Sequence, residues 1–364
     1  MEDNKKPTTV GGQPTGDYTE SGNPSHNPDG TFGSEENMQS DFTFDFNGSE
    51  KFEFLNNLNL DGAEEFDFLD DIDLEEQIGI TIERTYNSHL ALKLGKEHYD
   101  KIIDLVEQCG NNNIIKFWKK YLNSFVIMDC SYKERANASG VGIYFDIEND
   151  SKGSYYQTPY EVFFHEAGHA IDYFSSKIDS QNMSYISFKF SVNYKNGLFP
   201  KTIQNEINEM VLKKQSDMKQ QLNEAIKNKD WIWFFDNGFI YSWQLDEAFS
   251  GIEPDVKKIK ISKERAYKQL AEEIRKNTSF LERANLSDIF EGATYGKISM
   301  GVGHGSTYWR DRTYLGVNHA LASEAFTEMF ASYVTNKESL ETIKKFLPKS
   351  HKIFEEMIEE MIKY

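Results

Sequence analysis

The sequence predicts an α+β fold that is mainly helical with a small sheet, preceded by an acidic N-terminal tail. Long segments in the second half of the chain carry apolar residues at helical spacing, which indicates helices. Two short β-rich runs, 125–129 and 140–146, are bounded by turn residues and predict strands. The charge is uneven, because residues 1–78 hold 20 acidic and 3 basic side chains while residues 79–364 hold 39 and 37.

We predict that the tail, residues 1–78, is disordered. Residues 1–40 are rich in Gly, Pro, Ser and Asn, so they cannot bury enough apolar surface to offset the entropy of the chain. Further along, the segment Phe52–Leu60 recurs fourteen positions later as Phe66–Leu74, with Phe, Leu and Ile set among Asp, Glu and Asn. This repeat either docks on a protein partner or serves as a solvated acidic spacer.

The remainder, residues 79–364, is predicted to form one domain in which residues 176–285 are a helical insert. We predict helices over Lys96–Gln108, Asn113–Leu122, Lys201–Lys227, Asp255–Lys276, Asn318–Thr335 and Lys349–Ile362. The insert contains a dense run of aromatic residues between Trp231 and Trp243. We interpret this run as core or, alternatively, as a hydrophobic substrate groove.

Composition excludes several classes of protein. Residues 79–364 are nearly neutral without a run of Lys and Arg, which argues against nucleic-acid binding. No apolar stretch is long enough for a membrane span, and the polar N-terminus is not a classical signal peptide. The two cysteines, Cys109 and Cys130, are too few for a disulfide scaffold. These features predict a soluble protein.

A helix start precedes the segment that carries chemistry. Thr158 is placed to cap a helix with its hydroxyl, Pro159 suits the first helical position, and Glu161 three residues after the cap would complete a capping box. The sequence His165-Glu-Ala-Gly-His169 therefore falls inside the predicted helix, about two turns from its start.

The pattern HExxH on a helix predicts a zinc site. Residues at i and i+4 share one helix face, so His165 and His169 can occupy two corners of a zinc tetrahedron. Glu166 lies beside them without binding the metal, where it can act as the general base towards zinc-bound water and then as the acid towards a leaving amine. Gly168 inside the helix suggests room for a closely packed neighbour or for the metal environment.

A catalytic zinc site normally needs a third protein ligand. The longer pattern HExxHxxGxxH fails, because Asp172 and Ser175 occupy the positions of its Gly and its last His. The predicted helix over 318–335 instead brings Glu324 and Glu328 to one face among apolar residues. Glu324 as ligand and Glu328 as a partner of a zinc histidine would explain both; a solvated pair of glutamates is the alternative. We expect Asp172 to orient a histidine or to cap backbone.

Two segments, Tyr144–Tyr173 and Leu286–Phe330, resemble zinc metallopeptidases of the gluzincin type, in which a later helix donates a glutamate after HExxH. One similar group is the catalytic domain of anthrax lethal factor. The other comprises phage minor-head and toxin-associated metallopeptidases, which are similar in Thr158–Asp172, Leu286–Gly292, Gly303–Trp309 and Ser323–Phe330. The resemblance covers about a fifth of the chain. It implies a zincin-like fold and one Zn²⁺ per chain, bound by His165, His169 and Glu324.

Gluzincins usually supply a Tyr or His that stabilises the oxyanion. Tyr314, Tyr308 and His304 all remain candidates here, because the spacing to Glu324 differs from that in lethal factor. His304 lies in a Gly-rich stretch and either holds the substrate backbone or is a loop histidine without such a role.

The sequence therefore predicts a zinc metalloendopeptidase that acts on a protein or peptide substrate. The resemblance implies a phage-encoded enzyme or a delivered toxin or effector whose tail marks it for packaging or export. The alternative is a phage structural or interaction protein that carries a non-catalytic zincin-like module and docks through its tail. The location would accordingly be cytoplasmic, virion-associated or reached by a non-classical export route.

Overall fold

The computed structural model describes residues 80–129, 136–178, 185–188, 198–300, 303–304, 306–310, 313–314 and 317–363. The predicted disordered tail, residues 1–78, lies outside this part of the chain. Every helix in the described part is too short or too polar to span a bilayer.

The described residues are mainly helical, with one small three-stranded sheet and a two-stranded pairing. The first elements are α1 (His89–Leu94), α2 (Lys96–Glu107), α3 (Asn112–Tyr121), β1 (Val126–Asp129), β2 (Asn137–Ser139), β3 (Gly142–Phe145), α4 (Ile147–Asp150) and α5 (Glu161–Ile178). They are followed by α6 (Leu198–Asn228), α7 (Trp231–Asp236), α8 (Ser242–Phe249), α9 (Lys263–Asn277) and α10 (Phe280–Thr294). The last are α11 (Ser306–Arg310), β4 (Thr313–Tyr314), β5 (Val317–Asn318), α12 (His319–Thr335), α13 (Lys337–Phe346) and α14 (Pro348–Lys363).

The small sheet has the strand order β1-β3-β2. β1 and β3 are parallel with Ile127 opposite Ile143, and β2 pairs antiparallel with β3. Apolar side chains of β3 point into the core, where the ring of Phe145 lies 5.3 Å from that of Phe163 on α5. The sheet therefore packs on the helix that carries HExxH, as the two predicted strands suggested; the short strand β2 was not predicted.

Helices α5 and α12 form the centre of the domain and pack most extensively on each other. A group of fully buried rings fixes their relative position, because Trp118 of α3 contacts Phe163 and Phe164 of α5 and stacks on Phe330 of α12 at 6.2 Å. Burying such large rings supplies much of the hydrophobic stabilisation of a domain. The residues next to HExxH are therefore anchored in the core.

Gly168 allows this close approach of α5 and α12. A Cβ atom built on Gly168 would lie 3.0 Å from Cγ2 and 3.2 Å from Cα of Thr327. The neighbour includes backbone, so it cannot simply rotate away. Of the two predicted reasons for a glycine inside this helix, the closely packed neighbour agrees with this geometry.

We expect Gly168→Ala to destabilise the metal-free protein. The higher helix propensity of alanine offers about 1 kcal/mol, but overpacking against Thr327 costs typically ~1–3 kcal/mol, and helix α12 cannot move without disturbing the aromatic core. The free energy of unfolding from urea titration should fall by about 1 kcal/mol. A more stable variant would contradict the close packing at this position.

The predicted insert, 176–285, shares the main core over part of its length. The first half of α6 and one face of α9 pack into that core, and Glu206 of α6 accepts hydrogen bonds from the backbone amides of Lys349 and Ser350 at the start of α14. A separate, smaller apolar cluster is built by the second half of α6, α7 and the loop before α9. Its buried members are Met218, Leu222, Ala225, Phe234, Ile240, Val256 and Ile261.

The HExxH helix begins later than the sequence predicts. α5 starts at Glu161, because Tyr160 has a left-handed backbone with φ of 65° and its hydroxyl lies 2.7 Å from Nδ1 of His98. The carboxylate of Glu161 accepts hydrogen bonds from the amide and the hydroxyl of Thr158. Of the two reciprocal hydrogen bonds of the predicted capping box, the one that forms is therefore the one in which the glutamate side chain is the acceptor. His165 is consequently the fifth residue of the helix, rather than two turns inside it.

Candidate metal centre

Three predicted ligands meet where α5 and α12 touch. Nε2 of His165 lies 3.1 Å from Nε2 of His169, and each of these nitrogens lies 3.5 Å from Oε2 of Glu324. Four ligands at about 2.0–2.2 Å from a tetrahedral zinc are separated by about 3.3–3.6 Å along the tetrahedron's edges. The three atoms therefore have the spacing and the chemistry of one face of a zinc tetrahedron.

Helix α12 is buried almost all round, which excludes one of the two interpretations of its glutamates, the solvated pair. Glu324 is fully buried and Glu328 is 5% exposed, so they are not a solvated pair. Burying carboxylates costs several kcal/mol unless hydrogen bonds or cations compensate their charge. A cation bound at this place would compensate the charge of Glu324.

Glu328 lies behind His165. Its Oε1 is 3.4 Å from Nδ1 of His165, and its Oε2 accepts a 2.6 Å hydrogen bond from the side-chain amide of Asn285 on α10. A carboxylate at Nδ1 fixes the proton there and leaves Nε2 free to bind a metal. Glu328 thus contacts the ring nitrogen of His165 that faces away from Glu324.

Asp172 supports His169 through a serine. Nδ1 of His169 lies 3.0 Å from Oγ of Ser323, and Ser323 is hydrogen-bonded to Asp172. The other contacts of Asp172 are the amide of Ser187 at 3.0 Å and its hydroxyl at 2.6 Å. Asp172 therefore both orients a histidine and caps backbone, which the sequence analysis had offered as alternatives.

Glu166 is completely buried beside the ligands. Its negative charge contributes to raising the pKa of His165 and of Asp150, whose own pKa rises to about 6 mainly through burial. The carboxylate therefore lies near His165, the residue before it in the chain, and near enough to Asp150 of α4 to affect its pKa. This is the place where a proton acceptor for metal-bound water would be needed.

Three residues were predicted as candidates to stabilise the oxyanion, and the structure describes the side chains of two of them, Tyr308 and His304. The Tyr308 hydroxyl donates a 2.5 Å hydrogen bond to Oε1 of Glu324. His304 stacks on Tyr308 at 3.8 Å, and its Nε2 lies 3.9 Å from the same oxygen. Tyr314 belongs to β4, but its side chain lies outside the described residues.

Asp288 on α10 fixes His304. Oδ1 of Asp288 lies 3.1 Å from Nδ1 of His304 and accepts the His304 backbone amide at 3.0 Å. Gly303 allows this approach, because its φ is 122° and a Cβ there would lie 2.4 Å from the same Oδ1. Asp288, His304 and Glu324 form a second group whose ligand atoms lie close together, but Asp288 and Glu324 contact opposite nitrogens of one ring.

Burial and charge act against each other in this cluster. Burial lowers the pKa of His165, but the negative charges of Glu328, Glu166 and Glu324 outweigh it and raise this pKa well above the usual range. Burial raises the pKa of Glu328 and His165 lowers it again, with a net rise. The negative charges around His165 therefore favour a bound proton on its ring at neutral pH.

The sequence analysis did not assign roles to Ser323, Asn285, Asp288 or Ser187. Three of these residues could have been found from the segments on which the resemblance rests. Asp288 lies within Leu286–Gly292, Asn285 comes directly before that segment, and Ser323 comes directly before Glu324. Ser187 had no such signal, because it reaches Asp172 only through the folded chain.

Comparison of the whole chain with known proteins gives no match to a family model, a curated protein or a solved structure. The functional argument therefore depends on the site itself.

Proposed function

We propose that this chain is a zinc-dependent metallopeptidase of the zincin-like fold that hydrolyses peptide bonds. The observation that carries this proposal is the convergence of His165, His169 and Glu324 at tetrahedral spacing, with buried Glu166 beside them. When bound, Zn²⁺ would polarise the scissile carbonyl and lower the pKa of a bound water towards neutrality.

Each remaining step is assigned to side chains of this chain. Glu166 accepts the proton of the attacking water on its carboxylate and returns it to the leaving amine. Glu328 holds the Nδ1 proton of His165, while Ser323 and Asp172 together hold that of His169, so both histidines present Nε2. Tyr308 is a positioning residue, since its hydroxyl engages the second oxygen of Glu324.

Of the two predicted oxyanion residues whose side chains are described, His304 is the better placed, because the Tyr308 hydroxyl is hydrogen-bonded to Glu324. Asp288 holds Nδ1 of His304, and Nε2 of the same ring lies at the edge of the metal centre, 3.9 Å from Oε1 of Glu324. A hydrogen-bond donor aimed at a developing oxyanion contributes several kcal/mol to catalysis.

The sheet also favours a peptide substrate. Among the described strands, β2 lies at one edge of the sheet and packs against α5. An extended peptide can add to such an edge through main-chain hydrogen bonds, which align a scissile bond beside the metal ligands.

Removal of the metal tests the proposed function. We expect about one zinc per chain by elemental mass spectrometry, and cleavage of a proteome-derived peptide library detected as new termini by peptide mass spectrometry. Chelation should abolish cleavage, and added Zn²⁺ but not Mg²⁺ should restore it. A fully zinc-loaded protein that cleaves no peptide would favour the alternative, a non-catalytic interaction module.

Zinc affinity should rise with pH. In the metal-free protein the raised pKa of His165 keeps a proton on the cluster at pH 7, and zinc must displace it. One proton released per zinc strengthens binding about tenfold per pH unit. Because a raised folded-state pKa stabilises the metal-free protein only at lower pH, stabilisation by zinc should also grow as the pH rises.

Titration calorimetry at pH 7 in buffers of different ionisation enthalpy measures this linkage. The dependence of the apparent enthalpy on the buffer should give about one proton per zinc. Binding without proton release would contradict the assigned charge state of the cluster.

A further inference from the structure

A small cavity lies between the start of α5, helix α10 and helix α12. Three buried carboxylates line it, those of Glu161, Asp288 and Glu328, and these residues are 2%, 2% and 5% exposed. No lysine or arginine is among the lining residues that the structure describes. We call this space the acidic cavity, and its other lining residues are Tyr156, Gln157, Ala284, Asn285 and Gly303.

One buried acceptor in the acidic cavity lacks a hydrogen bond. The side-chain amide of Asn285 donates from Nδ2 to Oε2 of Glu328 at 2.6 Å, but its Oδ1 has no partner among the described residues. Asn285 is 2% exposed, so bulk water does not reach it freely. Folded proteins rarely leave such an acceptor unsatisfied. The cavity therefore presents three carboxylates and one amide oxygen to a donor that enters it.

The contacts of the three carboxylates leave an excess of negative charge. Glu328 lies beside the ring of His165, and Asp288 lies beside the ring of His304. The described partners of Glu161 are neutral side chains and a backbone amide. At most two imidazolium charges therefore oppose three carboxylates. Burial raises the pKa of Glu161, and a cation in the cavity would offset this cost of burial.

The arginine next to the acidic cavity is directed elsewhere. Arg283 precedes Ala284 on α10, but its guanidinium donates to the backbone carbonyls of Arg275 and Thr278 at the end of α9. The same guanidinium lies 4.1 Å from the centre of the Phe280 ring. Arg283 is thus held by the end of α9 and by an aromatic ring, and it does not neutralise the cavity.

The spacing of the carboxylates favours a guanidinium over a metal ion or an ammonium group. Two groups of described side chains have ligand atoms that all lie within 4.8 Å of one another, and Glu161, Asp288 and Glu328 are not such a group. At least two of these carboxylates are therefore farther apart. Acceptors around one ammonium nitrogen are separated by less than about 5 Å. The planar fork of a guanidinium, by contrast, reaches acceptors about 7 Å apart.

We propose that the acidic cavity binds a guanidinium group. The space holds roughly two or three water molecules, which is the bulk of one guanidinium. The five N–H donors of the group would meet the three carboxylates and Oδ1 of Asn285 through charge-assisted hydrogen bonds. Tyr156 and Gln157 are partly exposed and Gly303 is exposed, so the group can enter from solvent between them. An arginine side chain of a peptide or a free guanidino compound can supply it.

Ligand-observed NMR on the full-length protein tests the proposal. Acetyl-Gly-Arg-Gly-amide should bind with a Kd of about 0.1–1 mM, and the spectra show whether the peptide stays intact. The matching lysine peptide should bind at least about threefold more weakly. The citrulline peptide has nearly the same shape without the charge and should bind at least about tenfold more weakly. Equal affinities of the arginine and citrulline peptides would overturn the proposal, as would no binding of the arginine peptide at about 10 mM.

Two matched variants place the peptide in the acidic cavity. Glu161→Gln removes one charge with little change of shape and should weaken the arginine peptide at least about tenfold. Glu206→Gln makes the same change at another buried glutamate that accepts backbone amides, at the start of α14, and should leave the Kd unchanged. Glu161 belongs to neither group of candidate metal ligands, so its effect reports on the cavity and not on the metal centre. Equal Kd values for both variants would contradict the proposal.

A third variant covers the case in which Glu161→Gln does not fold, which thermal melting detects. Ala284→Leu introduces a larger side chain from a partly exposed position of α10 and should fill the cavity. The arginine peptide should again bind at least about tenfold more weakly. Unchanged binding by this variant would place the peptide elsewhere and would sink the proposal.

Other ligands give distinct results. Propylguanidinium is the arginine side chain without the peptide. If it binds as tightly as the peptide, the source is a free guanidino compound, and if it binds about tenfold more weakly, the source is an arginine in a chain; both results confirm the guanidinium. If Ca²⁺ binds in calorimetry, Glu161→Gln abolishes that binding and the arginine peptide does not bind, the cavity is a metal site and the proposal fails. These readouts use neither zinc nor hydrolysis, so they are independent of the proposed function.

Discussion

Glu166→Gln is expected to abolish peptide hydrolysis while the protein keeps its zinc. The amide has the size of the carboxylate but cannot accept a proton, and loss of a general base costs typically about 10²–10⁴-fold in rate. Glu166 is not one of the three ligands that meet at 3.1–3.5 Å, so the metal centre should remain intact. We expect kcat to fall about 10³-fold or more with about one zinc per chain.

A matched substitution separates chemistry from folding. Glu209→Gln makes the same change at an exposed position of α6 and should leave kcat unchanged. Zinc content and thermal melting are measured on both proteins. Undiminished hydrolysis by the Glu166 variant would remove this residue from the mechanism, whereas loss of zinc would show that the substitution disrupts the metal centre.

Glu324→Ala is expected to remove the metal itself. The substitution deletes one of three ligands and leaves the hydroxyl of Tyr308 without its acceptor in a fully buried place. Replacing an outer partner of a zinc ligand costs about 10- to 100-fold in affinity, and loss of a ligand should cost more. Competition with a fluorescent zinc chelator should show Kd rising more than 100-fold. His165→Ala should behave alike.

Two further variants serve as comparisons for Glu324→Ala. Glu338→Ala removes an exposed glutamate from the neighbouring helix α13 and should not change zinc affinity. Glu328→Ala should give an intermediate loss, about 10- to 100-fold, since Glu328 contacts Nδ1 of His165 rather than the metal side. If Glu324→Ala binds zinc as tightly as wild type, the third ligand is another group, and the assignment of Glu324 is wrong.

Local sequence determined the mainly helical architecture and the identity of the candidate ligands. Apolar spacing predicted α2, α3, α6, α12 and α14 to within a few residues, because helix periodicity is a local property of the chain. The i, i+4 spacing likewise brought His165 and His169 to one face of α5. Short elements such as β2 and α7 were not predicted, because they are too short to show a periodic pattern of apolar residues.

Only the tertiary structure decided which distant groups complete the site. Glu324 was identified as a candidate from its helix, but its burial against His165 and His169 depends on how α5 packs on α12. The start of α5 also moved, because Tyr160 takes a left-handed backbone beside His98. Asp288 gains its role only through α10. Catalytic and metal sites join residues far apart in sequence, and their contacts arise from packing that no local pattern encodes.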